Sequence, residues 1–189
     1  MSLHRTSPDG PVRLDLPASR EELAQLVCGQ QVLLSGVIYT MRDAGHMRAI
    51  EALDEAGELP FGLFGQTLFY AGPTPAAAGR PVGSVGPTTA SRMDFATPRL
   101  LAAGITSMIG KGARSEAVRQ ACIDTGSVYF ATVGGAAALL AKCVKKVEPV
   151  AWDDLGTESL KRFFVEDLPV FVAIDTTGAD LYARVKDGQ

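Results

Sequence analysis

Apolar positions in this chain fall into short runs whose spacing changes from segment to segment. Residues 14–16 and 31–39 (QVLLSGVIY) read as strands, and Gly36 inside the second run predicts a bulge or a close backbone approach. Residues 20–28 read as a helix with Ser19 as its cap and Glu21 and Glu22 in its first turn. In residues 40–57, Ala49, Ile50 and Leu53 recur at helical spacing; Asp43 is the expected N-cap and Gly57 the expected stop. Another strand, QTLFYA, covers 66–71, and a Gly/Pro-rich stretch over 72–89 predicts an elaborate surface loop.

From residue 90 helices and strands alternate. Helices are expected over 99–103, 115–125 and 136–142, with strands over 107–109 and 128–131 between them. That order argues for a parallel α/β region. A short helix near 155–160 and two strands, 162–166 and 170–175, precede a turn at 176–178 and the segment 180–184. The fold class predicted is α/β, a mixed sheet with helices.

Composition narrows the function. The chain has 189 residues, 47% apolar and 21% charged, which suits one domain with a substantial core and a leader over 1–13. A net charge of -3 gives no electrostatic reason to expect nucleic acid or an anionic membrane as partner. The polar, Pro-broken N-terminus resembles neither a signal peptide nor a membrane span, so the cytoplasm is the expected compartment. Cys28, Cys122 and Cys143 are odd in number and far apart, with no CxxC pair, and His4 and His46 are the only histidines. A metal site complete within this chain is therefore not expected.

Five motifs carry candidate chemistry. GITSMIGK (104–111) has one residue too many between its glycines and no Ser or Thr after the lysine, so it is not a nucleotide phosphate loop. Residues 133–136 (VGGA) lie between a strand and a helix; they serve either anion binding or close helix–sheet packing. In RDAGH (42–46), a helix start at Asp43 would keep His46 neutral and able to accept a proton. In GPTTASRMD (86–94), Thr88 and Arg92 are four apart; a helix starting at Thr88 would set hydroxyl and guanidinium on one face as a carboxylate receptor. Lys111, in KGARS (111–115), follows a parallel strand, where α/β proteins place ligands. Each of the last three also has a plain reading as a solvated cap or surface cation.

Taken together, RDAGH, FYAGP (69–73), SVGPTTASRMD (84–94), MIGKGARSEAV (108–118), VGGAAALLA (133–141) and VEDLPVFVAID (165–175) resemble the C-terminal half of class I (iron–sulfur) fumarases. They also resemble the beta subunits of two-subunit fumarases and tartrate dehydratases, and the KGARS and GGAAALLA wording looks more like fumarase than tartrate dehydratase. The resemblance runs from about Val32 to Tyr182, with departures at Ser91, Ala113 and Ala136, where Gly, Asn and Pro are usual.

The resemblance implies a compact swivelling β/β/α catalytic domain over 14–185. It implies a hydro-lyase of the tricarboxylic acid cycle that reversibly hydrates fumarate to (S)-malate. The 4Fe-4S cluster would be ligated by a cluster-bearing alpha subunit, and this beta subunit would be inactive alone, in a homo- or hetero-oligomer. Arg42, Thr88, Arg92 and Lys111 would bind the dicarboxylate substrate. Thr88 and His46, with Asp43 beside it, are the candidate catalytic residues, and Thr88 is the family's candidate base. Two other readings remain: an L(+)-tartrate dehydratase or mesaconate hydratase beta subunit, and a non-catalytic carboxylate-binding assembly subunit.

Overall fold

A computed structural model describes residues 3–5, 10–76, 78–132 and 135–186. Its eight strands are β1 (Leu3–Arg5), β2 (Val12–Leu16), β3 (Gln31–Thr40), β4 (Thr67–Phe69), β5 (Ser107–Gly110), β6 (Val128–Ala131), β7 (Val144–Ala151) and β8 (Leu160–Ile174). They form one mixed sheet in the order β1-β2-β3-β4-β5-β6-β8-β7. Strands β2 to β6 run parallel to one another, β1 runs antiparallel to β2, and β8 runs antiparallel to β6, β7 and β3. Because β8 pairs with both β6 and β3, strands β3, β4, β5, β6 and β8 close a ring, which removes sheet edges along its circumference. Leu3–Arg5 and Val12, inside the stretch expected to be a leader, belong to the sheet as β1 and the start of β2.

Period-two alternation divides the core into two clusters. Ile38, Phe69, Ile109, Phe130, Phe163 and Val172 pack together within one. Their strand neighbours Tyr39, Leu68, Met108, Tyr129 and Ala173 join the other, together with residues of the helices. All four residues of β5 and of β6 are buried, so these strands read as continuous apolar runs.

Six helices accompany the sheet among the described residues: α1 (Arg20–Leu23), α2 (Asp43–Ala56), α3 (Thr97–Ala102), α4 (Glu116–Thr125), α5 (Ala137–Cys143) and α6 (Leu181–Lys186). Ser19 closes a capping box with Glu22 at the start of α1, as its sequence predicts. That helix is shorter than expected because the chain beyond it is captured by the end of β8: Cys28 N donates to Asp175 Oδ2 (3.0 Å) and Gly29 N to Val172 O (2.8 Å). At Gly36 the expected close approach is real. A Cβ there would overlap the Leu16 carbonyl, at a φ of 121° and beside a register shift against β8.

Two expectations change, and one strand is new. The strands expected at 162–166 and 170–175 are one strand, β8, in which Asp167 takes a φ of 51° and donates its amide to Ser35 Oγ (3.0 Å) without ending the pairing. The segment around VEPVAW forms β7, an edge strand that tolerates Pro149. The helix expected near 155–160 is a 3-10 turn over Asp153–Glu158.

Candidate functional site

The carboxyl ends of parallel strands β3, β4 and β5 converge, and the site is built there. Residues 87–89 lie in the gap beyond β4 and β5. Thr88 N donates to Tyr70 O (2.6 Å), Lys111 N donates to Thr88 O (3.3 Å), and Ala90 N donates to Lys111 O (2.9 Å). With its amide and carbonyl taken by strand ends, Thr88 is extended, and the turn carrying Arg92 is a 3-10 helix over Ala90–Met93. The expectation that Thr88 and Arg92 share a helical face is therefore corrected. Thr88 is 8% exposed and its hydroxyl makes no hydrogen bond among the described residues, while the Arg92 side chain is 53% exposed.

Arg92 is held instead by Asp43. Its Nε donates to Oδ1 (2.9 Å) and its Nη2 lies 2.8 Å from Oδ2, a close ion pair between the 3-10 turn and α2. Here too an expectation changes: Arg42, not Asp43, is the N-cap of α2, and Asp43 is its first residue. Glu158 accepts both from Ala44 N (2.9 Å) and from Arg42 Nη2 (2.8 Å).

One turn further, His46 is fully buried. Its Nδ1 sits 3.0 Å from the Arg42 carbonyl, which can only accept, so Nδ1 carries the proton and Nε2 is a bare acceptor. That Nε2 has no partner among the described residues, and the ring stands edge-on to Tyr70 with centroids 5.0 Å apart. Burial lowers the His46 pKa to about 4, opposed by its bond to Arg42 O and helped by the nearby Arg114 cation. The imidazole is neutral, as expected; the main cause is desolvation rather than the helix end.

Beneath this lies a polar layer that the motifs did not reveal. The Arg114 side chain is wholly buried; its Nε donates to Asp94 Oδ1 (2.7 Å) and its Nη2 to Thr97 Oγ1 (2.8 Å). Its guanidinium also lies 5.2 Å from the Tyr70 ring centre and 4.9 Å from that of Tyr129. Asp94 Oδ2 accepts from Ser115 N (2.7 Å), so one carboxylate ties the end of the Arg92 turn to the start of α4. The available signal was the charged residues set among apolar ones in SRMD and KGARS, which does not tell a buried arginine from an exposed one.

Lys111 makes no ion pair among the described residues. The backbone after it is clamped by two tyrosines: Tyr129 Oη donates to Gly112 O (2.9 Å), and Tyr182 Oη accepts from Gly112 N (3.1 Å). The lysine borders a cleft of about 550 Å³ that also includes Thr132, Phe171 and Tyr182. Of the VGGA turn, Val133 and Gly134 lie outside the described residues.

The cysteines do not assemble. Cys28 and Cys122 are buried, Cys143 is partly so, and burial pushes the Cys122 thiol up to about 12. Among the described residues there is no group of three or more His, Cys, Asp or Glu side chains able to hold a metal ion. Nor is any helix among them long and apolar enough to cross a membrane.

Comparison with known proteins bears on this geometry. A family model described as "Fumarase C-terminus" matches residues 3–185. The anaerobic class I fumarate hydratase of Escherichia coli K12 is 37% identical over 184 residues, covering 94% of this chain and 34% of that protein. The L(+)-tartrate dehydratase subunit beta of the same organism is 33% identical over 178 residues, covering 92% of this chain and 87% of that subunit. A putative L(+)-tartrate dehydratase subunit beta of Methanocaldococcus jannaschii is 35% identical over 173 residues, covering 88% and 89%. The chain thus spans about a third of the fumarate hydratase, but most of each beta subunit.

Proposed function

This chain belongs to the fumarase C-terminus family, and we propose on that premise that it is the beta subunit of a two-subunit hydro-lyase that interconverts fumarate and (S)-malate. The observation that carries the reading is the gathering of Arg42, Arg92, Lys111 and the unpartnered Thr88 hydroxyl at the ends of three parallel strands. Two arginines, each oriented by a carboxylate, and a lysine with no ion pair among the described residues suit a dianion that gains further negative charge when a proton leaves the carbon next to a carboxylate.

The 4Fe-4S cluster of such an enzyme does not fit the described residues of this chain, whose cysteines are dispersed and largely buried. It belongs to a partner alpha subunit. This chain's residues bind and orient the carboxylates and move the carbon-bound proton. Thr88 is the base in this reading, which requires the neighbouring cations to make its hydroxyl more acidic. His46 is a positioning residue: sealed from solvent, with a pKa of about 4, it braces the Arg42 carbonyl. Asp43 orients Arg92.

A second reading, L(+)-tartrate dehydratase, is favoured by the likeness to that beta subunit in Escherichia coli, 33% identical over 92% of this chain. Co-expression with a cluster-bearing partner and assay against fumarate, mesaconate and tartrate separates the two. Turnover of fumarate above the others is expected. A cluster-loaded complex that turns over none of them would mark this chain as a carboxylate-binding assembly subunit and overturn the proposal.

A further inference from the structure

Glu158 lies outside every motif, yet it touches the site twice. It ends the 3-10 turn before β8, 116 residues from Arg42. Helix α2 has no side-chain bond from its own N-cap residue, so its first amides lack a local acceptor. Glu158 Oε2 fills that role from across the fold by accepting from Ala44 N (2.9 Å). Its other oxygen, Oε1, takes Arg42 Nη2 (2.8 Å).

The packing around this contact leaves little freedom. A Cβ at Gly45 would come within 2.6 Å of the Glu158 carbonyl oxygen and 2.8 Å of Met41 Cβ, so only glycine lets the 3-10 turn approach the helix this closely. On the other side, a Cβ at Gly72 would stand 3.0 Å from Cζ, Nε and Nη1 of Arg42. The guanidinium is thus held between the backbone beyond β4 and the Glu158 carboxylate. One Nη group is engaged, and Nη1 makes no hydrogen bond among the described residues.

We infer that Glu158 is a positioning residue for substrate binding: it fixes the Arg42 guanidinium so that its unengaged Nη1 edge meets a substrate carboxylate without first being ordered. The inference rests on the reading of Arg42 as a carboxylate ligand. The gain comes from a cation oriented before binding, which lowers the entropic cost of association. The Ala44 amide, and then the Arg42 cation, hold the Glu158 carboxyl below its usual range and keep it ionised at neutral pH.

The test compares Glu158→Gln, Arg42→Ala and the double variant in the complex with the cluster-bearing partner, using (S)-malate. Gln keeps an oxygen for Ala44 N but turns an amino group toward Arg42, so the helix start is retained while the hold on the guanidinium is lost. Glu158→Gln is expected to raise KM roughly tenfold, the effect of losing one charge-assisted hydrogen bond, with kcat within about threefold. In the Arg42→Ala background it should add nothing. The side-chain 15N resonances of Arg42 should show restricted rotation in the wild type and averaging in Glu158→Gln. An unchanged KM in Glu158→Gln beside a raised KM in Arg42→Ala overturns the inference and leaves Arg42 as a ligand. So does additivity in the double variant, or an unaltered Arg42 resonance. If Arg42→Ala itself leaves KM unchanged, Arg42 is no ligand, and the site reading at that residue falls along with the inference.

Discussion

Two Arg–Asp pairs stand within the same part of the molecule and differ in almost everything but composition. Arg92–Asp43 joins two elements at the mouth of the site, with the arginine side chain 53% exposed. Arg114–Asp94 lies beneath it, with the arginine fully buried and Asp94 also tied to the backbone of Ser115. Water competes for the first pair, so its arginine can trade part of its contact with Asp43 for a substrate carboxylate at small cost. No such exchange is open to the second, because freeing either partner would strand a charge away from water. Under the proposed function the same chemistry serves binding in one place and architecture in the other, and burial decides which.

The comparison breaks if the two arginines respond alike to truncation. Arg114→Ala leaves Asp94 with an uncompensated charge and empties the space between Tyr70 and Tyr129. A loss of ~3–5 kcal/mol in urea unfolding is expected, with activity falling only as folded protein is lost. Arg92→Ala should leave the urea midpoint close to wild type and reduce turnover of the reconstituted complex ~10²–10³-fold. Equal loss of stability in both variants would erase the distinction.

The buried layer makes a second, smaller prediction through pH. His46 has a folded pKa of about 4 against an ordinary value of 6.5, so between those values the unfolded chain binds a proton that the folded chain refuses. Stability is therefore unaffected by this group above 6.5 and declines as pH falls toward 4, by about 3 kcal/mol in all. His46→Asn removes this decline. Urea titrations of both proteins across that range should differ in slope, and parallel curves would place the imidazole in contact with water.

How much of this was legible in the sequence follows the range of the interactions. Strands β3, β5 and β6 and helices α2 and α4 are set by local periodicity and appear close to where the pattern puts them. Gly36 and Ser19 announced a bulge and a cap, because each is decided by its immediate neighbours. Asp43 was misread as a cap and Thr88 as a helix start for the opposite reason. Asp43 is claimed by Arg92, 49 residues away, and the backbone of Thr88 by the ends of β4 and β5. Glu158 and Arg114 act through partners 116 and 20 residues distant, and no spacing rule reaches either. Continuity of β8 through Asp167 was hidden because its pairing with β3 on both sides of that residue, not local propensity, carries the chain across the bulge.

If chemistry resides at the strand ends and support in the layer below, Thr88 and His46 stand on either side of that line. The most direct measurement is exchange of the C3 proton of (S)-malate with deuterated water, in the complex with its cluster-bearing partner. Thr88→Ala should abolish exchange, Thr88→Ser should restore much of it by keeping the hydroxyl, and His46→Asn should retain exchange at the level of its folded fraction. Loss of exchange in His46→Asn with persistence in Thr88→Ala, together with an ionisation in the ~5–8 range where imidazoles titrate, would contradict the account.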